Sequence, residues 1–170
     1  MKVSRISVFV SVLLLMAGSF AFAEEEAKGV DSKEAYKMVM DSPRDTFIVD
    51  VRTKAEYEFV GHPDLPNGVP NIPLRFYPKW NENSEFVEMV EKRYSKDKTL
   101  IMICRSGGRA EQAATKLMEA GFKKVYYMSD SFEGSKDKKG HRTVNGWKVN
   151  GLPYTHTVEP ELEFKGCTSN

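Results

Sequence analysis

One hexapeptide in this 170-residue chain combines a nucleophile with the means to hold an anion: Cys104-Arg105-Ser106-Gly107-Gly108-Arg109. It follows the apolar run Thr99-Leu100-Ile101-Met102-Ile103 and precedes a stretch with Ala110, Ala113, Ala114, Leu117 and Met118 on one face, so it reads as a strand-to-helix turn. At such a turn backbone N–H groups converge and the helix dipole is positive. That environment favours a thiolate, and equally the terminal sulfur of a persulfide. Gly107 and Gly108 allow the tight curl that aims the N–H groups inward. Arg105 and Arg109 bracket the turn with planar, multi-donor groups suited to a sulfur or phosphorus oxyanion. On residue types alone, a buried structural thiol flanked by solvated arginines stays open as the alternative.

The rest of the chain supplies the scaffold. Asp31 starts a helix with Glu34 at capping-box spacing; Ala35, Met38 and Val39 form its apolar face, and Pro43 stops it. Thr46 to Val51 reads as a short buried strand, and Thr53 to Phe59 as a short helix. Pro63, Pro66, Pro70, Pro73 and Pro78 make the next stretch surface loop, with room for only a brief strand near Val69 to Ile72. Ser84 is expected to open a helix with Phe86, Val87, Val90 and Tyr94 inward, and Gly121 closes the helix after Cys104. Lys124 to Met128 gives a last strand before a polar segment from Ser129 to Asn150 around Trp147, whose expected fate is burial. Alternating strands and helices imply an α/β fold with a parallel sheet covered on both faces.

Lys2 and Arg5, the apolar run Ile6 to Ala17 and Ala21-Phe22-Ala23 have the three parts of a secretory signal, with cleavage expected before Glu24. The run is too short to span a bilayer, which needs about 20 apolar residues. Without residues 1–23 the chain holds 147 residues, with 23 Lys and Arg against 24 Asp and Glu. That length suits one domain, and the near-neutral balance argues against a nucleic-acid partner. The expected organisation is a signal peptide at 1–23, an acidic lead-in at 24–29 with nothing to bury, the domain at 30–158 and a polar tail at 159–170. Only Cys104 and Cys167 are present, so a disulfide framework is excluded for an exported chain; the two either pair or leave a thiol free. His62, His141 and His156 have no metal-site spacing, and no metal or cofactor is expected.

The hexapeptide resembles the active-site loop of the rhodanese family of sulfurtransferases. Asp50-Val51-Arg52 with Glu56-Tyr57 and Gly61-His62 is similar to that family's first signature, and Asn71-Ile72-Pro73 to its next. Glu133-Gly134, Gly146-Trp147 and Gly151-Leu152-Pro153 are similar to its C-terminal end. The resemblance spans roughly Val30 to Tyr154. It implies a three-layer fold with a mostly parallel five-stranded sheet, and a loop cysteine that cycles between thiolate and persulfide. Cys104 is then the catalytic residue, with Arg105, Ser106, Gly107, Gly108 and Arg109 binding the substrate. The implied partners are a small oxyanion such as thiosulfate as donor, and a thiol, cyanide or a protein as acceptor.

Asp50, Arg52 and Glu56 are read as an internal ion-pair network that fixes the loop's neighbours. Two departures from the family pattern, the long Gly61–Asn71 connection and Asp130-Ser131 in place of two glycines, are expected to alter the pocket rim and not the loop. One rival is a phosphatase or arsenate reductase, whose loops place five residues between Cys and Arg; four separate Cys104 from Arg109, which suits a single sulfur better. The other is a carrier that holds persulfide sulfur with little turnover.

Overall fold

The structure, a computed structural model, describes residues 26–166. The expected signal segment and Cys167 lie outside them.

In chain order the elements are β1 (Lys28–Val30), α1 (Ser32–Asp41), β2 (Thr46–Asp50), α2 (Lys54–Val60), β3 (His62–Pro63), β4 (Arg75–Phe76), β5 (Asn81–Glu82), α3 (Phe86–Arg93), β6 (Thr99–Ile103), α4 (Gly108–Glu119), β7 (Lys124–Met128) and β8 (Tyr154–Thr155). The main sheet has the order β1-β7-β6-β2 with every pair parallel, which makes β6 a central strand. Burial on both faces explains why Leu100 to Ile103 is uninterruptedly apolar. Leu100, Met102 and Cys104 face Val90 of α3 and Ala110, Ala113, Ala114 and Leu117 of α4. Ile101 and Ile103 face the other way, with Ala35 and Val39 of α1, Phe132 and Trp147. Parallel sheet, helices on both faces: the α/β class is as expected.

The strand count differs from five. Four strands form the ladder, and the fifth position is reduced to a bridge between Asp50 and Asn71. There Asp50 N–H donates to the Pro70 carbonyl and Ile72 N–H to the Asp50 carbonyl, both at 2.9 Å. Pro70 and Pro73 flank the bridge and have no N–H to extend it.

Three other expectations are corrected. Residues 28 and 29, expected to belong to a lead-in, form with Val30 the edge strand β1 in register with Tyr126 to Met128; only Val30 is buried, so composition carried no sign of a pairing made by backbone. Helix α3 is not opened by Ser84, which is exposed. The buried Asn83 accepts the Glu85 N–H at 3.1 Å and donates to the Pro73 carbonyl at 2.9 Å. The segment read as a polar tail folds back through residue 166: Asn71 N–H donates to the Leu162 carbonyl at 2.7 Å, Lys54 pairs with Glu163, and Phe164 is buried against Phe76.

Trp147 is fully buried, its Nε1 donating to the Pro153 carbonyl at 2.7 Å. Asp130 fastens the polar segment to the start of α1, accepting from Ser32 N–H and hydroxyl at 2.8 and 2.7 Å and from Gly146 N–H at 3.1 Å. Among the described residues no helix is long and apolar enough to cross a membrane.

Candidate active site

Strand β6 ends by delivering Cys104 to the first turn of α4, with 2% of the residue exposed. Gly107 caps that helix at φ +103°, and a Cβ there would lie 2.5 Å from the Ser129 carbonyl oxygen, so only glycine fits. The conformation turns the Gly107 N–H onto Cys104 Sγ at 3.1 Å. A donor at the positive end of a twelve-residue helix favours negative charge on that sulfur. The loop is clamped by its neighbour: Phe132 N–H donates to the Cys104 carbonyl at 3.0 Å, and Glu133 and Gly134 N–H to the Arg105 carbonyl at 2.9 and 3.1 Å.

Ser131 belongs to this site and was missed. Its departure from glycine was expected to affect only the pocket rim, yet the residue is fully buried and its hydroxyl reaches Cys104. Ser131 Oγ accepts the Cys104 N–H at 3.1 Å, donates to the Met128 carbonyl at 2.8 Å and lies 3.6 Å from Cys104 Sγ. The signal available in sequence was the departure itself, a small polar residue just after a strand that neighbours β6. None of the residues lining the cleft comes from the long 61–71 connection.

The two loop arginines differ. Arg109 makes a two-pronged pair with Glu56, Nη1 and Nη2 each 2.7 Å from a carboxylate oxygen. Burial pushes the Glu56 carboxyl up, but the hydrogen bonds and charge of Arg109, with the N–H and hydroxyl of Thr53, outweigh it and hold the group at about 2 against an ordinary 4.5. Burial likewise opposes the charge on Arg109, and Glu56 more than restores it. The pair is ionised at neutral pH and ties α2 to the start of α4. Arg105 is exposed, and among the described residues its guanidinium has no acidic partner. Ser106 and Gly108 are exposed beside it.

The expected three-residue ion network is therefore two separate pairs. Asp50 and Arg52 bond each other in the interior, at 2.6 to 3.0 Å and with no exposure of either side chain. Glu56 serves Arg109 and completes the capping box of α2 with Thr53.

Above Cys104 lies a cleft of about 330 Å³, lined by Arg105, Ser106, Gly108 and Arg109, by Gln112 of α4, and by Arg75 and Trp80. The arrangement is a largely buried thiol beneath a cationic rim.

Residues 31–138 match the rhodanese-like domain family. This chain belongs to the rhodanese-like family. The rhodanese-like chain is 34% identical over 127 residues to the uncharacterized protein RP600 of Rickettsia prowazekii, covering 75% of this chain and 96% of that protein. It is 34% identical over 107 residues to thiosulfate sulfurtransferase 16, chloroplastic, of Arabidopsis thaliana, covering 62% and 76% respectively. Among solved structures, that of Rv0390 from M. tuberculosis superposes with a TM-score of 0.71 at 34% identity, covering 78% of this chain and all of that one. The rhodanese-like family is thus one that includes sulfurtransferases.

Proposed function

We propose that this rhodanese-like protein is a sulfurtransferase in which Cys104 carries sulfane sulfur, taken from thiosulfate or a related donor and passed to a thiophilic acceptor. The observation that carries this reading is the N–H of Gly107 bonded to Cys104 Sγ at 3.1 Å, beneath an open cleft at a helix N-terminus. The Cys104 thiolate attacks the outer sulfur of thiosulfate. A sulfur–sulfur bond forms to Sγ, the donor's own sulfur–sulfur bond breaks, and sulfite departs with the electron pair. Attack by the acceptor on the outer sulfur then returns the pair to Sγ and restores the thiolate. No cofactor enters either step.

The two arginines are proposed to differ as donor ligands. Arg109 is committed to Glu56, which leaves Arg105 as the cation facing an incoming dianion. A charge-assisted hydrogen bond contributes about 1.5–3 kcal/mol, and solvent at this exposed position reduces that. Replacing Arg105 by Ala should therefore lower kcat/KM for thiosulfate by about fivefold to tenfold. Steady-state kinetics with thiosulfate and cyanide, alongside mass spectrometry for one added sulfur on the purified protein, tests the whole reading. Failure of the wild type to gain that sulfur would refute it, and thiosulfate kinetics indifferent to Arg105→Ala would refute the role of the arginine. Sulfur gain without turnover would identify a carrier.

The same proposal places the protein outside the cytoplasm, in the periplasm or secreted, on the strength of residues 1–23. An exported sample should begin at Glu24; an intact N-terminus in the membrane fraction would identify an anchor instead.

A further inference from the structure

The cleft over Cys104 is larger than a sulfur oxyanion requires. About 330 Å³ lies at the lower end of the range for pockets that bind small organic molecules. The extra room is walled by a residue the transfer chemistry does not use. Trp80, in the turn between β4 and β5, is 45% exposed, and its indole sits 5.5 Å from the Arg109 guanidinium carbon. Tyr77 stands edge-on to it at 6.2 Å.

Two features set Trp80 apart from an incidental surface aromatic. Its φ is +57°, a left-handed conformation that a bulky residue adopts only under constraint and that a turn ordinarily gives to Gly or Asn. Its neighbour is also informative: Arg109, its charge engaged by Glu56, lies over the indole ring, so the two form one flat wall of the cleft, while the exposed Arg105, without an acidic partner among the described residues, supplies a cation at the rim.

A flat wall, a cation and a sulfur nucleophile around one cavity define a ligand by complementarity. We infer that the sulfur acceptor is an organic thiol with a planar or apolar body and a carboxylate: the body lies against Trp80 and the carboxylate meets Arg105. This rests on the sulfur-transfer reading of Cys104. In the step concerned, the acceptor thiolate attacks the outer sulfur of the Cys104 persulfide and forms a new sulfur–sulfur bond. The bond from that sulfur to Sγ breaks with its electron pair remaining on Sγ, so the products are the acceptor persulfide and the Cys104 thiolate. No proton is gained or lost overall. Trp80 acts on this step through binding and leaves loading by the small inorganic donor unaffected.

The test uses sulfur-loaded wild type, Trp80→Ala and Trp80→Phe, each discharged in a single turnover by para-mercaptobenzoate, mercaptopropionate and cyanide. Trp80→Ala should slow discharge to para-mercaptobenzoate by about fivefold or more, the loss expected for one aromatic stacking contact. Cyanide should change less than twofold, mercaptopropionate should fall in between, and Trp80→Phe should recover most of the loss. Equal slowing with all three acceptors would reduce Trp80 to a support of the cleft and overturn the inference, as would no change with any. A second measurement is independent of sulfur chemistry. The sequence has two tryptophans and Trp147 is fully buried, so quenching of emission by the unreactive para-(methylthio)benzoate reports on Trp80. Saturable quenching that is weakened in Arg105→Ala is expected; its absence refutes the binding mode even if sulfur transfer is sound. Should the wild type take up no sulfur while the quenching persists, the transfer reading fails and the ligand site stands.

Discussion

Cys104→Ser is expected to lose sulfur transfer by at least about a thousandfold, because removing the nucleophile of a covalent mechanism leaves only binding contributions. The oxygen of serine does not form the analogue of a persulfide, so neither half of the reaction proceeds. The fold should be untouched. Sγ lies at the base of the cleft with the Gly107 N–H and the Ser131 hydroxyl as its hydrogen-bond neighbours, and a serine hydroxyl in the same place finds both. Since hydroxyl and thiol are close in shape and the buried polar atom remains satisfied, the stability change should stay within about 1 kcal/mol. Thermal unfolding of the two proteins checks the second half of this expectation, and the thiosulfate–cyanide assay the first. Residual turnover well above background in a folded Cys104→Ser protein would remove Cys104 from the mechanism.

How much of this was visible in the chain depends on how far apart the partners lie. The Cys104 turn was legible because everything that makes it is local: an apolar strand, two glycines and an amphipathic helix within a short stretch. The cap of α1 was legible for the same reason, Asp31 with Glu34 three residues on; α2 was legible as a short helix, but its Thr53–Glu56 capping box emerges only in the structure. What could not be read was set by contacts across the fold. Nothing local shows that Glu56 turns from Arg52 to Arg109, 53 residues on, and that pairing leaves Arg105 as the loop arginine without an acidic partner among the described residues. Ser131 reaches Cys104 from 27 residues away because β6 and β7 are adjacent strands. Strand β1 pairs through backbone atoms that carry no sequence signature. At the start of α3 Ser84 stays exposed and caps nothing; the buried Asn83, held on the Pro73 carbonyl, accepts the Glu85 N–H just ahead of the helix, an arrangement set by a residue ten positions away.

The second large effect is expected in the interior, at Asp50 and Arg52. Both side chains are wholly buried, joined at 2.6 to 3.0 Å, and Arg52 Nη2 also donates to the Gly61 carbonyl at 2.7 Å. The guanidinium lies 4.3 Å from the centre of the Phe132 ring. Phe132 N–H in turn holds the Cys104 carbonyl, so the pair supports the clamp behind Cys104 without touching its sulfur. Breaking such a pair from one side leaves an uncompensated charge in a medium that solvates it poorly, at a cost of about 3–5 kcal/mol. That is a large share of the roughly 5–15 kcal/mol by which a domain is stable. Asp50→Asn, which keeps the shape and removes the charge, and Arg52→Met, which keeps the stem, should each show this loss in urea unfolding. Combining them leaves no bare charge, so the double variant should lose much less than the sum of the single variants. At low temperature the folded fraction of each single variant should still accept sulfur at Cys104. Single variants within about 1 kcal/mol of the wild type, or strictly additive losses, would show that Asp50 and Arg52 do not act as a pair.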